Sequence, residues 1–255
     1  ARDAEATASE AGLRVSGRVA LDLEARETRT SWSGDLFGDT RRRFATPTTR
    51  LGLTARGIPG GLELRTSLRG SYRYDEMEAG PPPMSVRVYE AALVKRFAAL
   101  PVEIALGRFS NPYESYSSYW DGALLRIGGR TGPGIGLVAG FEPDRYDEGF
   151  RTGLRKMTAF ADFASRGRRW RYDTDVSVHL LQPEGATRAS YAGWSQRFVV
   201  GRLSLHQRLR LEGGLDGRPV SLSDLRVRAR LPVIDHLALR GAYGRTRPGA
   251  WLLPE

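Results

Sequence analysis

The chemistry available to this chain is mostly that of arginine. Its 39 lysine and arginine residues exceed its 29 carboxylates, which gives a formal net charge of +10, and lysine occurs only at Lys95 and Lys156. A guanidinium group binds carboxylate or phosphate through two parallel hydrogen bonds. Arginines gathered on one surface would therefore favour anionic solutes, nucleic acid or internal ion pairs, whereas arginines without a positional pattern would reflect only a GC-rich genome.

The arginines stand at alternate positions. Arg226, Arg228 and Arg230 are two residues apart, and Arg65 and Arg69 keep the same parity within their segment. Alternate residues lie on one face of a β-strand, so this spacing predicts rows of guanidinium groups. The same faces carry carboxylates that we expect to pair with some of the arginines, namely Asp22, Glu24, Glu63, Asp173, Asp175 and Asp224.

Residues for catalysis are sparse. The chain has no cysteine, and its three histidines are His179, His206 and His236. A nucleophilic hydrolase needs a serine–histidine pair held by a third group, and neither His179 nor His206 falls on an apolar face where a barrel hydrolase would need it. No phosphate-binding G-x-x-x-x-G-K-[ST] motif occurs. We therefore predict no catalytic residue, no cofactor and no metal site, and a chain that is not an enzyme.

One cluster of acidic residues has the composition of a cation site. Glu142, Asp144, Asp147 and Glu148 offer grouped oxygens, which Ca²⁺ prefers. Their position between two predicted strands favours a solvated loop instead.

The elements that position these residues are strands. Leu13 to Arg26 alternates apolar and polar residues throughout, and Trp170 to Leu180 does the same. A period of two is typical of a strand with one apolar face. Thirteen strands are predicted, near 12–26, 46–57, 61–74, 86–97, 102–109, 119–128, 134–142, 153–165, 169–182, 188–199, 202–213, 220–231 and 236–246.

The connections between these strands alternate in length. The short ones lie near 58–60, 98–101, 129–133, 166–168, 200–201 and 232–235. The long ones lie near 27–45, 75–85, 110–118 and 143–152, with modest ones near 183–187 and 214–219. Outer-membrane barrels have short periplasmic turns and long external loops, so this parity favours a barrel over a soluble sandwich.

A membrane location fits the apolar faces. No run of 18 apolar residues exists, which excludes helical spans, whereas a closed barrel crosses lipid with every backbone group paired. Aromatic residues near the ends of the apolar faces predict an interfacial girdle. The predicted girdle consists of Tyr72, Tyr74, Tyr119, Phe141, Trp170, Tyr172 and Tyr243.

One stretch carries a family resemblance. The segment Gly107 to Tyr113, followed by Tyr119 to Ala123, resembles the strand–loop–strand of bacterial porins, where one strand ends in Gly-Arg and the next begins with Asp-Gly. The resemblance implies a transmembrane antiparallel up-and-down β-barrel of the Gram-negative outer membrane. We expect 1–11 to be a polar periplasmic segment and 12–255 to be the barrel. Thirteen strands would end outside, so we expect 14–16 in the complete chain.

The leading functional hypothesis is a channel for passive diffusion of small, preferentially anionic solutes, because basic residues in a pore favour anions. The predicted lumen-lining residues are Arg14, Arg18, Arg65, Arg69, Arg208, Arg210, Arg226, Arg228, Arg230 and Arg240. Loop 27–45, with Arg41, Arg42 and Arg43, is predicted to fold inward as a constriction. The partners would be outer-membrane lipid and the solutes, with a second copy or another envelope protein as further possibilities.

Two alternatives stay open. The first is a structural or assembly-partner barrel, with a plugged lumen or an open edge that pairs with another chain. The second is a soluble, basic β-protein that binds nucleic acid. The alternation of loop length does not follow from the second, and no platform of exposed aromatic residues lies among the arginine faces.

Overall fold

The structure is a computed structural model, and it describes residues 12–30, 40–75, 84–97, 99–115, 119–129, 131–143, 150, 152–184, 189–213, 219–234 and 237–247. These residues form strands, turns and short connections and contain no helix. In this part of the chain there is accordingly no helix long and apolar enough to cross a membrane.

Fourteen strands are present among the described residues. They are β1 (Arg14–Thr30), β2 (Thr40–Ile58), β3 (Leu62–Tyr72), β4 (Tyr74–Asp75), β5 (Met84–Arg96), β6 (Val102–Ser110), β7 (Tyr119–Gly128), β8 (Gly132–Phe141), β9 (Leu154–Arg166), β10 (Trp170–Pro183), β11 (Ala189–Val200), β12 (Leu203–Glu212), β13 (Ser221–Ile234) and β14 (Leu237–Thr246). All thirteen predicted strands are found. The additional one, β4, is a two-residue segment that pairs with Phe44 and Ala45 of β2.

Strand neighbours follow chain order from β1 to β14, apart from β4, which lies on β2. Pairs such as β1–β2, β9–β10 and β12–β13 are antiparallel. The predicted fold class, all-β with antiparallel up-and-down strands, is confirmed. The described residues fall into two compact units, 12–94 and 95–143 with 150–247.

In the first unit, β1 to β3 separate apolar from charged residues. Val15, Val19 and Leu21 lie on one face of β1, and Leu21 is 77% exposed. Register places Val19 beside Leu51 of β2, so the apolar face continues across the strand pair. Because these side chains are so exposed, they are not a soluble core.

In the second unit, β9 and β10 carry buried polar residues on one face and exposed apolar residues on the other. Along β9, Lys156 is 2% exposed while Met157 is 60% exposed. Along β10, His179 is fully buried while Val178 and Leu180 are 36% and 44% exposed. A soluble sheet buries its apolar face, so this reversed pattern is the one expected where lipid replaces water outside.

The predicted constriction in loop 27–45 is wrong in its described part. Residues 27–30 continue β1 and residues 40–45 begin β2. Glu27 pairs with Arg41 and Arg43 across the two strands, and Arg42 pairs with Asp75. These cross-strand ion pairs lie along the paired ends of β1 and β2, where the register continues to Thr30 and Thr40. Residues 31–39 lie outside the described residues.

Candidate functional site

The site is built on a strand whose polar face is mostly glycine. On β8, Gly134 and Gly136 face the polar side, and a Cβ on either would collide with a neighbouring side chain. At Gly134 it would come within 2.3 Å of Arg126, and at Gly136 within 2.3 Å of the Phe160 ring. The missing side chains let residues from the two flanking strands meet over β8.

Arg126 of β7 and Asp162 of β9 use this space. The Nε of Arg126 donates to Oδ1 of Asp162 at 2.9 Å, and its Nη2 donates to Oδ2 at 2.7 Å. Arg126 also donates to the carbonyl oxygens of Gly128 and Gly129. The guanidinium is 4% exposed, and these acceptors compensate its burial.

A short segment after β6, residues 111–115, lies over this floor; we call it the inner loop. At its base, Arg108 pairs with Asp121 of β7 through Nε to Oδ1 at 2.6 Å. Asn111 begins the turn, since its Oδ1 accepts from the backbone N–H of Tyr113 at 3.1 Å. The Pro112 ring fixes its own backbone and keeps Asn111 out of helical conformation.

Tyr113 is the first anchor of the inner loop. Its ring is stacked on Phe160 with 6.2 Å between centroids, and the Arg126 guanidinium lies 4.1 Å from its centroid. Its hydroxyl donates to Oε2 of Glu103 at 2.9 Å. Burial and the nearby Glu103 carboxylate raise the pKa of Tyr113 to about 12, so the hydroxyl remains a donor across the physiological range.

Glu114 is the second anchor, and it is the most deeply buried. Its Oε1 lies 2.7 Å from Nε2 of His179 on β10, and neither side chain is exposed. Nδ1 of His179 lies 2.7 Å from the Thr158 hydroxyl, and Nε2 lies 3.0 Å from the Ser177 hydroxyl. The Tyr191 ring stacks on the imidazole at 3.9 Å. The histidine is therefore held on every side by the strand wall.

Ser115 is the third anchor. Its backbone N–H and its hydroxyl donate to the two carboxylate oxygens of Asp175, at 3.3 and 2.8 Å. The Ser195 hydroxyl of β11 lies 2.6 Å from the Ser115 hydroxyl and 2.7 Å from Asp175 Oδ1. The inner loop therefore reaches from β6 to β11 across the polar face.

Beside the inner loop, the polar face becomes strongly basic. Register pairs Arg197 of β11 with His206 of β12, and His206 in turn with Arg228 of β13. Arg208 pairs with Arg226, and Arg230 with Arg240. Like charges directly opposite in a sheet repel each other.

Part of this charge is compensated by carboxylates. Arg226 donates to Asp224 at 3.0 Å, and Arg210 lies 3.7 Å from Glu212 while its guanidinium covers the Tyr191 ring at 3.9 Å. Arg228 and Arg230 are exposed. Water or anions are left to solvate the charges of these two exposed side chains.

A cavity of about 600 Å³ lies between the inner loop and these strands. Tyr113 and Ser115 border it on the loop side, and Asp173 and Asp175 border it along β10. Arg197 and His206 border the opposite side. Carboxylates and arginines both line the cavity, since Arg171 pairs with Asp173 on its β10 side, and a small polar molecule fits its volume.

The predicted lining residues of the first unit form a separate polar face. Glu63 accepts from Arg65 at 2.7 Å and lies 3.5 Å from Arg56. Arg69 is the register partner of Arg50, which lies 3.7 Å from Asp22. Arg14 and Arg18 are exposed on β1.

The predicted aromatic girdle residues all lie among the described strands. Tyr72, Tyr74, Trp170 and Tyr243 are 43%, 51%, 42% and 60% exposed. Tyr172 packs against Phe163 and Phe198, with ring centroids 6.2 and 6.3 Å apart. Phe141 contacts Phe150, and Tyr119 is half-buried opposite Ser110. Their interfacial role stays a prediction.

Sequence reasoning missed the inner loop and its anchors. Residues 110–118 were expected to be an external loop, and Glu114, Ser115 and Ser195 carried no pattern of their own. The porin-like segment from Gly107 to Tyr113 was the available signal, because it contains the base and the first anchor. Of the acidic group weighed for Ca²⁺, Glu142 is buried 3.9 Å from the Lys156 ammonium, and Asp144, Asp147 and Glu148 lie outside the described residues.

The chain resembles outer-membrane porins among solved structures. No family model and no curated protein matches it. The outer membrane protein opdK from Pseudomonas aeruginosa is 12% identical over 86% of this chain and 77% of its own, with a TM-score of 0.40. A BenF-like porin from Pseudomonas fluorescens Pf-5 is 13% identical over 86% and 78%, with a TM-score of 0.42. A mutant of the Rh. blastica porin is 9% identical over 92% and 94%, with a TM-score of 0.34.

Proposed function

We propose that this chain is a porin-like β-barrel channel of the bacterial outer membrane, through which small, preferentially anionic solutes diffuse passively. The observation that carries the proposal is the row of basic register partners on β11 to β14, of which Arg197 and His206 border the cavity. Arg230 of β13 faces Arg240 of β14, and their charges repel each other unless mobile anions or water lie between them. A water-filled passage supplies both.

The opposite face supports a membrane setting. Ile135 and Leu137 of β8 are 61% and 59% exposed, and Met157 of β9 is 60% exposed. A continuous apolar face of this kind is unfavourable in water and favourable against acyl chains. Lipid is therefore the first partner of the chain, and the solute is the second.

The test is single-channel conductance of the full-length protein in a planar bilayer, with the reversal potential measured under a salt gradient. We expect open steps with anion preference. Changing Arg226, Arg228 and Arg230 to Gln removes three positive charges from the polar face, so the reversal potential shifts toward cation preference. A folded protein that never conducts would overturn the proposal.

A matched control removes the same charge elsewhere. Arg168, Arg169 and Arg202 lie in the short turns after β9 and β11 and are exposed. Changing these three to Gln leaves the cavity margin intact, and we expect a smaller shift of the reversal potential. Equal shifts in both triple variants would place the selectivity in net charge rather than in the arginine row.

A structural barrel with a plugged lumen is the second candidate. The ion pairs Arg126–Asp162 and Lys156–Glu142, together with the Glu114–His179 contact, fill part of the polar face, as a plug would. Absence of conductance, together with a partner chain that co-purifies stoichiometrically in detergent, would favour this candidate.

A further inference from the structure

We propose that the contact between Glu114 and His179 is a latch: it holds the inner loop against the strand wall, and its release widens the passage. The proposal rests on the proposed channel function, because a wider passage matters only if solutes cross. The loop itself is a positioning element whose closed state the latch maintains.

The latch lies in a buried part of the loop. The Glu114 and His179 side chains are both unexposed, with 2.7 Å between Oε1 and Nε2. Asn111 Nδ2 donates to the other carboxylate oxygen at 3.2 Å, so the loop organises its own carboxylate before it meets the wall. By contrast, Ser115 at the third anchor is exposed.

The wall half of the latch is rigid. Thr158 of β9 and Ser177 of β10 contact the two imidazole nitrogens, and the Tyr191 ring of β11 covers one face. Arg210 of β12 covers that ring in turn, and Lys156 is held 4.3 Å from the Trp120 ring. His179 therefore cannot follow Glu114 if the loop moves, so the contact either forms or is lost.

Loss of either partner favours the open loop. When the His179 imidazole is removed, the Glu114 carboxylate stays buried with neither water nor the histidine as a partner. That state is strongly unfavourable. The glutamate regains water when the loop leaves the wall. The other anchors exchange hydrogen bonds with water at small net cost, so they do not oppose this movement strongly.

The experiment compares His179→Phe with the unmodified protein in single-channel recordings. Phenylalanine keeps a ring against Tyr191 and removes both nitrogens. We expect the unitary conductance to rise by on the order of twofold, because conductance follows the open cross-section of the pore. Glu114→Gln keeps an oxygen near Nε2 but removes its negative charge, so it weakens the contact and should raise the conductance by less; it provides a second variant if His179→Phe does not fold.

Glu27→Gln is the matched control. It also removes one carboxylate from a contact with basic side chains, Arg41 and Arg43 of β2, but it lies in the first unit. We expect this variant to keep the unitary conductance of the unmodified protein. An increase equal to that of Glu114→Gln would overturn the latch.

A reversible cross-link tests whether loop position is the cause. The Ser115 and Ser195 hydroxyl oxygens are 2.6 Å apart and the chain has no cysteine, so Ser115→Cys with Ser195→Cys forms one defined disulfide. In the His179→Phe background, oxidation should restore the original conductance and reduction should raise it again. A conductance that is the same in the oxidised and the reduced protein would overturn the proposal.

A thiol-labelling rate separates the latch from the channel. Ser195 is 3% exposed beneath the loop, so Ser195→Cys alone should react slowly with a charged maleimide and faster when His179→Phe is added. This rate does not require conduction. Faster labelling without any conductance would reject the proposed channel and retain the latch, whereas equal labelling rates would reject the latch.

Discussion

At the scale of single residues, the polar face depends on charges that satisfy each other across a strand. Arg126 reaches Asp162 over β8 because Gly134 leaves the space, and Tyr113 then uses the same guanidinium as a surface to stack on. A side chain at position 134 would separate the pair. The glycine, the ion pair and the loop anchor therefore form one unit.

The first prediction concerns this unit. Arg126→Gln leaves the Asp162 carboxylate without its partner, and we expect it to lower the free energy of unfolding by about 3–5 kcal/mol. Adding Asp162→Asn should recover part of that loss, because no unpaired charge then remains. Urea unfolding in lipid vesicles gives the free energy of unfolding of the unmodified protein, the two single variants and the double variant. Effects of the two single changes that simply add in the double variant would contradict the coupling.

At the scale of strands, the period of two sorts residues between two environments. On β8, Ile135 and Leu137 are exposed on one face of the strand, whereas Val138 on the other face is 1% exposed. In a soluble protein, exposed leucines tolerate charge with changes within about 0.5 kcal/mol. In a bilayer the same positions reject it.

The second prediction uses that difference. Leu137→Arg should destabilise the protein by about 2–4 kcal/mol if the residue lies near the bilayer midplane. Leu137→Phe at the same position keeps the face apolar and should be tolerated. Unfolding in vesicles measures both variants, and an Arg variant as stable as the Phe variant would argue for a solvated face.

At the scale of the whole molecule, charge is the property that connects composition to transport. The net charge of +10 comes mostly from arginine side chains. On β12 and β13, most of the arginines that the structure describes lie on the polar face of their strand. Fields from charges in a water-filled passage are screened by mobile ions. Selectivity should therefore depend on ionic strength.

The third prediction follows from screening. The Debye length falls from about 10 Å at 0.1 M salt to about 3 Å at 1 M. The anion-to-cation permeability ratio from reversal potentials should decline toward the ratio of bulk mobilities over this range. A ratio that stays constant with salt would indicate selection by direct binding or by size rather than by the long-range field.

The strands, their order and the sorting of residues between two faces are predictable from the sequence. Alternation is local, because successive side chains point to opposite sides, and Arg226, Arg228 and Arg230 therefore share a face whatever the rest of the chain does. The same alternation predicts the connections between strands less well than the strands themselves. Within loop 27–45, the described residues 27–30 and 40–45 are strand, with Glu27 in contact with Arg41 and Arg43 across the pair.

The path of residues 111–115 and the burial of His179 depend on tertiary contacts that no local pattern predicts. Glu114 and His179 are 65 positions apart, and Ser115 and Ser195 are 80 apart, so no local pattern couples them. Their meeting depends on β8 being glycine-rich enough to admit Phe160 and Arg126, and on the loop folding over that floor. Side-chain periodicity gives each strand its faces, but which residues meet across several strands follows from register and packing.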